Sequence, residues 1–566
     1  MVAYWIKTVF FMIASVGALL LGLDRLSKNV TKLAHKGLKK LFNKTSKYSI
    51  IGVGIGALVT VIMQSSAATT VMVVGFVNTG IMTLTQATSI IMGANIGTTI
   101  TAQLAALNSF DFGAYVIVFC GIGVFITNLG KKEKTKTLGR TLSGLGLLFL
   151  GLKCMDLAIN ATFDGELVVK NAISNVLAGI DGSFAPVILF FLGIALTAAV
   201  QSSALITTVI ITLTGAGIYI GAGSDATALN NNVLFLILGT NIGTCVTALI
   251  SSIGAQTNAR RASMIHLLFN LFGSIIFIIV LIIFKDFMAA TFGTWFASPA
   301  TQIAMFHTVF NLLTTLIFLP FIKVFVKLST LLVKDKDEKE NLSFTYMDER
   351  MIRSPSVAVH QVRKELSLLY MKAVQTLNIS MDAFLARDDS KREEVKNANN
   401  ELDTMNERIM GYLVKLANSS FVVYEDECTV SIFHNVLSDI LRIGEIGDNI
   451  CKYTHQMIED NLEFSDNVFL QLGFYRSKIN SLFEKSDEVF LTKNIEKIKE
   501  VDIIEDQIDN MRKELISDHF ERLARGECKN ENSGVYVNLV NNLERAADHM
   551  TYIAQSVEAA KNQAIK

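Results

Sequence analysis

Nine long apolar stretches occupy most of the first 330 residues and limit this part of the chain to a fold that spans a membrane. A single helical crossing requires about 20 residues, and a transmembrane backbone must satisfy its own hydrogen bonds. We therefore predict an all-α, polytopic membrane domain. The stretches lie at residues 8–23, 49–77, 87–106, 112–129, 141–159, 184–220, 232–253, 262–284 and 302–326.

The two longest stretches, 49–77 and 184–220, contain the same polar motif near their middle. The motif is Gln64-Ser65-Ser66-Ala67 in the first and Gln201-Ser202-Ser203-Ala204 in the second. Polar groups without partners are costly in lipid, so we predict that each stretch is a broken or re-entrant helix enclosed by protein. Duplicated interruptions of this kind favour a transport site.

The positions of basic residues predict how the two copies are oriented. Basic residues cluster at 25–47, 131–140, 260–261 and from 323 onward, and the positive-inside bias assigns these segments to the cytoplasm. The first motif region then starts inside and ends outside, whereas the second starts outside and ends inside. This predicts two inverted repeats and alternating access around one central site.

Charge divides the chain into two parts. Residues 1–330 contain 21 of the 51 basic and 9 of the 51 acidic side chains, so the remainder carries 30 and 42. We predict a transmembrane domain at 1–330, a charged linker at 331–345 and a cytoplasmic helical domain at 346–566. Within the first, the repeats are placed at about 10–130 and 141–284, with a further helix at 302–326.

Amides and hydroxyls supply the candidate chemistry, since the motifs contain no ionised side chain. Oxygen ligands suit a hard cation, and the N–H groups at the start of a half-helix attract an anion. Coupling to sodium is favoured over coupling to protons. The alternative is that these groups serve only as hydrogen-bonding contacts between helices. The candidate residues are Gln64, Ser65, Ser66, Thr69, Thr70, Asn95, Thr98, Gln201, Ser202, Ser203, Thr207, Thr208, Asn241 and Thr244.

Two further patterns accompany the motifs. Gly-x-Asn-Ile-Gly-Thr at 93–98 and 239–244 predicts a second helix in each half that is either broken or closely packed. The strings that start at His266 and His307 each place an Asn four residues later, and we interpret them as hydrogen-bonding groups between helices. No P-loop, HExxH motif or nucleophile–base arrangement is present, so we do not predict an enzyme.

These motifs together resemble those of the type II sodium/phosphate cotransporter family, over about residues 10–325. The resemblance implies sodium-coupled uptake of inorganic phosphate, with Gln64, Ser65, Ser66 and their counterparts in the second copy at the ion and phosphate site. Ala67 and Ala204 stand where many animal relatives carry a third serine in at least one copy. This difference affects the expected number of ligands.

The charged half resembles the PhoU domain, a pair of three-helix bundles that is fused to bacterial members of that family. The resemblance is carried by Asn542 to His549 and by Asp439 to Glu445. In PhoU such Glu-x-x-x-Asp motifs can hold metal, and the resemblance implies Glu544, Asp548 and Glu445 as candidate ligands. Glu544 and Asp548 share a helix face, which also suits solvent or an arginine partner.

The expected function is sodium-coupled phosphate symport into the cell across the plasma membrane. The expected partners are phosphate, sodium and the lipid bilayer, with no nucleic acid; a homodimer or a cytoplasmic regulatory partner is a further candidate. The alternatives are transport of another small oxyanion, and a membrane sensor or scaffold that acts through the PhoU-like half.

Overall fold

The computed structural model is built from helices throughout the part of the chain that it describes, which confirms the all-α prediction. It describes residues 2–34, 48–108, 112–163, 166–178, 180, 182–223, 226–334 and 345–565. An isolated bridge between Phe163 and Glu166 is the extended pairing found there. The chain divides into two compact units, one up to residue 342 and one from residue 343. Most of the predicted linker at 331–345 lies outside the described residues.

Thirteen labelled helices, with short helices and turns between them, lie in the described residues of the first unit. Six helical segments in its described residues are long and apolar enough to cross a membrane. Two short helices at Phe287–Ala290 and Phe292–Trp295 precede the last crossing. The labelled helices are α1 (Val2–Leu33), α2 (Ser49–Met63), α3 (Ser66–Asn78), α4 (Leu84–Leu107), α5 (Phe112–Leu129), α6 (Glu133–Ile159), α7 (Val168–Ala178), α8 (Ala185–Val200), α9 (Ser203–Gly215), α10 (Asn232–Ser251), α11 (Thr257–Ile283), α12 (Pro299–Phe318) and α13 (Ile322–Leu332).

The helix breaks predicted inside the two longest apolar stretches are present. The first stretch forms α2 and α3, of 15 and 13 residues, and the second forms α8 and α9, of 16 and 13 residues. Each is shorter than the roughly 20 residues that one crossing requires. Each half of the membrane unit therefore contains two short helices that meet at a polar junction.

Glycines bring the first short helix of each half against the long helix that follows. A Cβ atom at Gly93 in α4 would collide with the carbonyl oxygen of Val53 in α2. The equivalent Gly239 in α10 lies in the same way against the carbonyl oxygen of Phe190 in α8. Val53 and Phe190 each lie 11 residues before the glutamine of their motif. The α2–α4 and α8–α10 pairs thus have the same register.

The last two long helices of the membrane unit connect its halves. Helix α11 packs against α10 of the second half and also against α3 of the first. Helix α12 packs against α4 of the first half and α9 of the second. Helix α11 thus packs on a long helix of the second half and a short helix of the first. Helix α12 packs on a long helix of the first half and a short helix of the second.

The described residues of the second unit form six long helices, in two groups of three. Helices α14, α15 and α16 contact one another, as do α17, α18 and α19, and α16 packs against α19 between the groups. Val436, Leu437, Ile440 and Ile443 of α16 are buried, at the three- and four-residue spacing of an amphipathic helix. The bounds are α14 (Pro355–Ala386), α15 (Arg392–Ala417), α16 (Tyr424–Glu459), α17 (Asp466–Thr492), α18 (Ile498–Ala524) and α19 (Asn532–Ile565).

Candidate functional site

Each polar junction is built from a glutamine in a left-handed backbone conformation and a serine that caps the next helix. Gln64 ends α2 with φ 52° and ψ 24°, and Gln201 ends α8 with φ 56° and ψ 26°. Left-handed backbone costs a residue with a side chain about 1–2 kcal/mol. Ser65 and Ser202 then accept hydrogen bonds from the backbone N–H groups of Ala68 and Leu205, at 3.1 and 3.2 Å. Strain retained at both junctions is typical of functional sites.

In the first half, the side chain of Gln64 is held by the surrounding helices. Its Nε2 donates to the carbonyl oxygen of Val61 at 2.6 Å, and its Oε1 accepts from the hydroxyl of Thr101 in α4 at 3.1 Å. The hydroxyl of Thr60 donates to that of Thr69 across the break at 3.0 Å. The sequence pattern did not single out Thr60 or Thr101 as site residues.

The second half has the same junction with fewer side-chain contacts. Gln201 is exposed, and its side chain makes no hydrogen bond to any part of the chain that the structure describes. The hydroxyls of Thr197 and Thr247, which are equivalent to Thr60 and Thr101, are buried and without a partner among the described residues. Ile206 stands where the first half has Thr69. The duplicated motif thus extends to a threonine six residues after each asparagine, a repetition that could have identified Thr101 and Thr247.

The first turns of α3 and α9 contain buried hydroxyls that lack protein partners. Thr70 and Thr207 occupy equivalent positions, six residues after each glutamine, and are 0% and 1% exposed. Their hydroxyl oxygens, and that of Thr208, make no hydrogen bond within the described ranges. An unsatisfied buried hydroxyl costs about 1–3 kcal/mol. These atoms are therefore the best candidates for ligands of a bound ion.

The two candidate asparagines lie on continuous helices. Asn95 in α4 and Asn241 in α10 are buried, and each donates to the carbonyl oxygen four residues earlier, at 3.0 and 3.2 Å. Thr98 and Thr244 are also buried and donate to their own helices. Of the two alternatives predicted for these segments, the structure has close packing rather than a break.

The buried His-x-x-x-Asn pairs differ from the prediction that the histidines bond across helices. Neither ring nitrogen of His266 or His307 has a partner in the described part of the chain. The contact across helices is made by Asn270, whose Nδ2 lies 3.4 Å from Sγ of Cys245 in α10. Asn311 donates to its own helix at 2.8 Å. The amide therefore has the bonding role that we expected of the imidazole.

The structure places the two sets of candidate residues at corresponding positions in interlocked halves. Helix α3 packs on α10, and α9 packs on α4, so that each set faces a long helix of the other half. No hydrogen bond joins the side chains of the two motifs in the described ranges. The amides, hydroxyls and freed carbonyls can bind a small cation, while the starts of α3 and α9 offer N–H groups to an anion.

The candidate metal ligands of the second unit lie in an acidic cluster that already contains a cation. Glu544 lies 3.6 Å from Nε of Arg512, which also lies 3.9 Å from Asp509. Burial raises the pKa of both Glu544 and Asp548 above the usual values, and neighbouring carboxylates add to this effect. Glu505 and Asp509 of α18 repeat the Glu-x-x-x-Asp spacing and belong to the same cluster. Sequence reasoning missed them, although the repeated spacing was visible.

The charge around the acidic cluster bears on the predicted metal site. Within the described ranges, no group of three His, Cys, Asp or Glu residues could hold a metal ion. Arg512 supplies positive charge beside Glu544, so the carboxylates have a countercharge without a cation. Metal binding by Glu544 and Asp548 stays a prediction.

Glu445 lies in a different place from the acidic cluster. It pairs with Arg442 at 2.6 Å and borders a groove of about 400 Å³ between α15 and α16. Leu441 occupies the position of the leading acid, and the groove contains Lys396 and Lys452 beside its carboxylates. The structure therefore does not bring Glu445 together with Glu544 and Asp548.

Family models match both units of the chain. Residues 18–156 match the model described as Na+/Pi-cotransporter, and residues 366–454 and 476–557 match the PhoU domain. The long apolar helices and the first match indicate a membrane protein that is similar to phosphate transporters. The two matches confirm the resemblance to a Na+/Pi-cotransporter followed by a PhoU domain that was predicted from the sequence.

Relatives of known name agree with this arrangement. The chain is 24% identical over 563 residues to a protein of Escherichia coli (strain K12) named as inorganic phosphate export protein YjbB, with 97% of each chain covered. It is 27% identical over 319 residues to the uncharacterized protein YqeW of Bacillus subtilis (strain 168), covering 56% of this chain and 95% of YqeW.

Other similarities cover smaller parts of the chain. An 87-residue segment is 42% identical to sodium-dependent phosphate transport protein 2B of Homo sapiens, covering 15% of this chain and 13% of that protein. The crystal structure of the phosphate transport system regulatory protein PhoU from Streptococcus pneumoniae aligns with a TM-score of 0.34 and 17% identity. That alignment covers 37% of this chain and 96% of the PhoU chain.

Proposed function

We propose that the chain transports inorganic phosphate across the cell membrane in symport with sodium, by alternating access around the two helix breaks. The observation that carries this proposal is the duplicated junction, in which Gln64 and Gln201 keep a strained backbone next to the buried, unpartnered hydroxyls of Thr70 and Thr207. A sodium ion bound there would satisfy these oxygens. Phosphate would bind to the N–H groups at the starts of α3 and α9.

Coupling to sodium rather than to protons follows from the chemistry of the junctions. None of the side chains named at either junction is ionisable, so they provide no carboxylate relay for a proton. Neutral oxygen ligands are appropriate for a hard monovalent cation. The Homo sapiens relative is named as sodium-dependent, which supports the same coupling.

The direction of transport has two candidates. With an inward sodium gradient, symport moves phosphate into the cell, and this is the direction that we propose. Export is the second candidate, because the YjbB relative, whose alignment covers 97% of both chains, is named for phosphate export. We place the PhoU-like unit in the cytoplasm, where it would regulate transport or bind a partner.

Labelled-phosphate flux in proteoliposomes tests the proposal. Uptake above equilibrium under an inward sodium gradient, but not under an equal potassium gradient, is the expected result. Preloaded vesicles under an outward gradient would measure flux in the opposite direction, and arsenate and sulfate as competitors would define the oxyanion. Phosphate flux that ignores the cation would contradict symport, and no flux of any oxyanion would favour a sensor. A chain ending at residue 345 would test for regulation by the second unit.

A further inference from the structure

We propose that Thr101 and Thr247 are positioning residues that hold the two motif glutamines alternately, so that one glutamine at a time presents its amide to the transported ion. The inference rests on the proposed function, since it assigns these threonines to the same site. Its starting point is a difference between two halves that have the same residues. The hydroxyl of Thr101 donates to Oε1 of Gln64 at 3.1 Å, whereas the hydroxyl of Thr247 is buried and unpartnered within the described chain.

Sequence divergence does not explain this difference. Both halves have glutamine at the junction and threonine six residues after the asparagine. By contrast, the bond between Thr60 and Thr69 has no counterpart because Ile206 replaces the second threonine. The second half contains Gln201 and Thr247, the equivalents of Gln64 and Thr101, yet among the described residues the bond is made in the first half alone.

The backbone framework also allows the bond in both halves. Gly97 lies against Thr60 and the carbonyl oxygen of Ala57, and Gly243 lies against Thr197 and the carbonyl oxygen of Ile194. These partners lie four and seven residues before each glutamine. With the same register on α2–α4 and α8–α10, rotation of the Gln201 side chain would bring its amide to Thr247.

The bonded glutamine and the free glutamine differ in what they can offer a ligand. Gln64 uses Nε2 for Val61 and Oε1 for Thr101, so both ends of its amide are engaged. Gln201 is exposed and neither end is bonded to the described protein. In this conformation Gln201 is therefore the available ligand. If the halves exchange conformations during transport, Gln201 binds Thr247 and Gln64 becomes available.

This alternation predicts reciprocal effects of removing each hydroxyl. Thr101→Val destabilises the conformation with Gln64 bound, and Thr247→Val destabilises the conformation with Gln201 bound. One net hydrogen bond shifts the ratio of the two conformations by about fivefold. The two substitutions should shift this ratio in opposite directions.

Hydrogen–deuterium exchange of the full chain in detergent or nanodiscs measures the shift. In the unmodified protein, the junction at 61–70 should exchange more slowly than the junction at 198–207. Thr101→Val should speed exchange at 61–70 and slow it at 198–207, and Thr247→Val should do the reverse. Thr101→Ser and Thr247→Ser, which keep a hydroxyl, should restore the original ratio.

Thr88→Val is the matched control, because Thr88 is a buried threonine of α4 that donates to its own helix. It should leave both junctions unchanged. A threonine with a merely structural role would change exchange close to its own position without slowing exchange in the other half. Loss of protection in both halves with either valine variant would overturn the proposal.

Transport assays separate this inference from the proposed function. Sodium-coupled phosphate flux without reciprocal exchange would overturn the alternation and leave the proposed function intact. Reciprocal exchange in a chain that moves no phosphate would support the alternation and contradict the proposed function.

Discussion

Across the break at Gln64, the hydroxyl of Thr60 donates a hydrogen bond to the hydroxyl of Thr69, with 3.0 Å between the oxygens. This bond connects α2 to α3 directly. The second break lacks it, because Ile206 replaces the second threonine and leaves the hydroxyl of Thr197 buried without a described partner. The first junction therefore has a side-chain hydrogen bond across the helix break that the second junction lacks.

Substitutions at these positions should remove the hydrogen bond from the first junction and create one at the second. Thr60→Val should destabilise the first junction by about 1 kcal/mol, since one net hydrogen bond is lost. Ile206→Thr should slow hydrogen exchange at 197–207, because Thr197 gains a partner. Faster exchange there in Ile206→Thr would show that the lost packing of the isoleucine outweighs the new bond.

Alanine and glycine substitutions distinguish the role of the motif glutamine's side chain from the strain in its backbone. Gln64→Gly and Gln201→Gly should each be about 1 kcal/mol more stable to unfolding than the corresponding alanine variants, because glycine adopts positive φ without strain. All four variants should insert into the membrane but lose sodium-coupled phosphate flux. Wild-type flux in either pair would refute the assignment of that glutamine to the site.

Removing the unpartnered hydroxyls should impair ion binding without loss of stability. Thr70→Val and Thr207→Val remove atoms whose burial costs about 1–3 kcal/mol, so the free energy of unfolding should stay constant or rise. The sodium concentration that gives half-maximal flux should rise about tenfold, which corresponds to roughly 1.4 kcal/mol. Thr214→Val is the control, since Thr214 of α9 donates to its own helix. An unchanged sodium dependence in both variants would remove these hydroxyls from the site.

A methyl group added at the two glycines that lie against carbonyl oxygens should destabilise the protein. Gly93→Ala and Gly239→Ala should each destabilise the membrane unit by about 1–3 kcal/mol, because Val53 or Phe190 must move. Gly54→Ala is the matched control, since no atom lies within 4 Å of the added methyl group. Thermal unfolding in detergent would rank the three variants. Equal midpoints would contradict the close approach.

The acidic cluster of the second unit should make its stability depend on pH. The pKa values of Glu505, Glu544 and Asp548 are raised in the folded chain, chiefly by burial. A raised folded pKa means that the stabilisation is complete below the unfolded values of 4.5 and 3.8 and is lost as the pH rises through the folded pKa. Protection of α18 and α19 from hydrogen exchange should therefore increase as the pH falls from about 7 towards 4.5.

Replacing the arginine in this cluster should make that dependence steeper. Arg512→Met removes the positive charge beside Glu544, which raises the carboxyl pKa values further. Arg476→Met, which removes a surface pair with Asp382, is the control and should leave the slope unchanged. A slope in Arg512→Met equal to that of the unmodified chain would contradict the role of Arg512 as countercharge.

The helix breaks could be predicted because polar groups in an overlong apolar segment have few solutions in lipid. The side-chain bonds could not, since apolar periodicity does not report on rotamers. The threonines nearest each motif suggest that Thr69 and Thr70 are equivalent to Thr207 and Thr208. Counting from the glutamines instead makes Thr70 equivalent to Thr207 and Thr69 equivalent to Ile206. Helix α7 at Val168–Ala178 was also not predicted, because its 11 residues are too few for one membrane crossing.

The packing of α11 and α12 has a consequence for how the membrane unit unfolds. Each of these helices covers a short helix of one half and a long helix of the other. Opening one half therefore removes packing contacts from the other half as well. We expect the two halves to unfold together, as one cooperative unit.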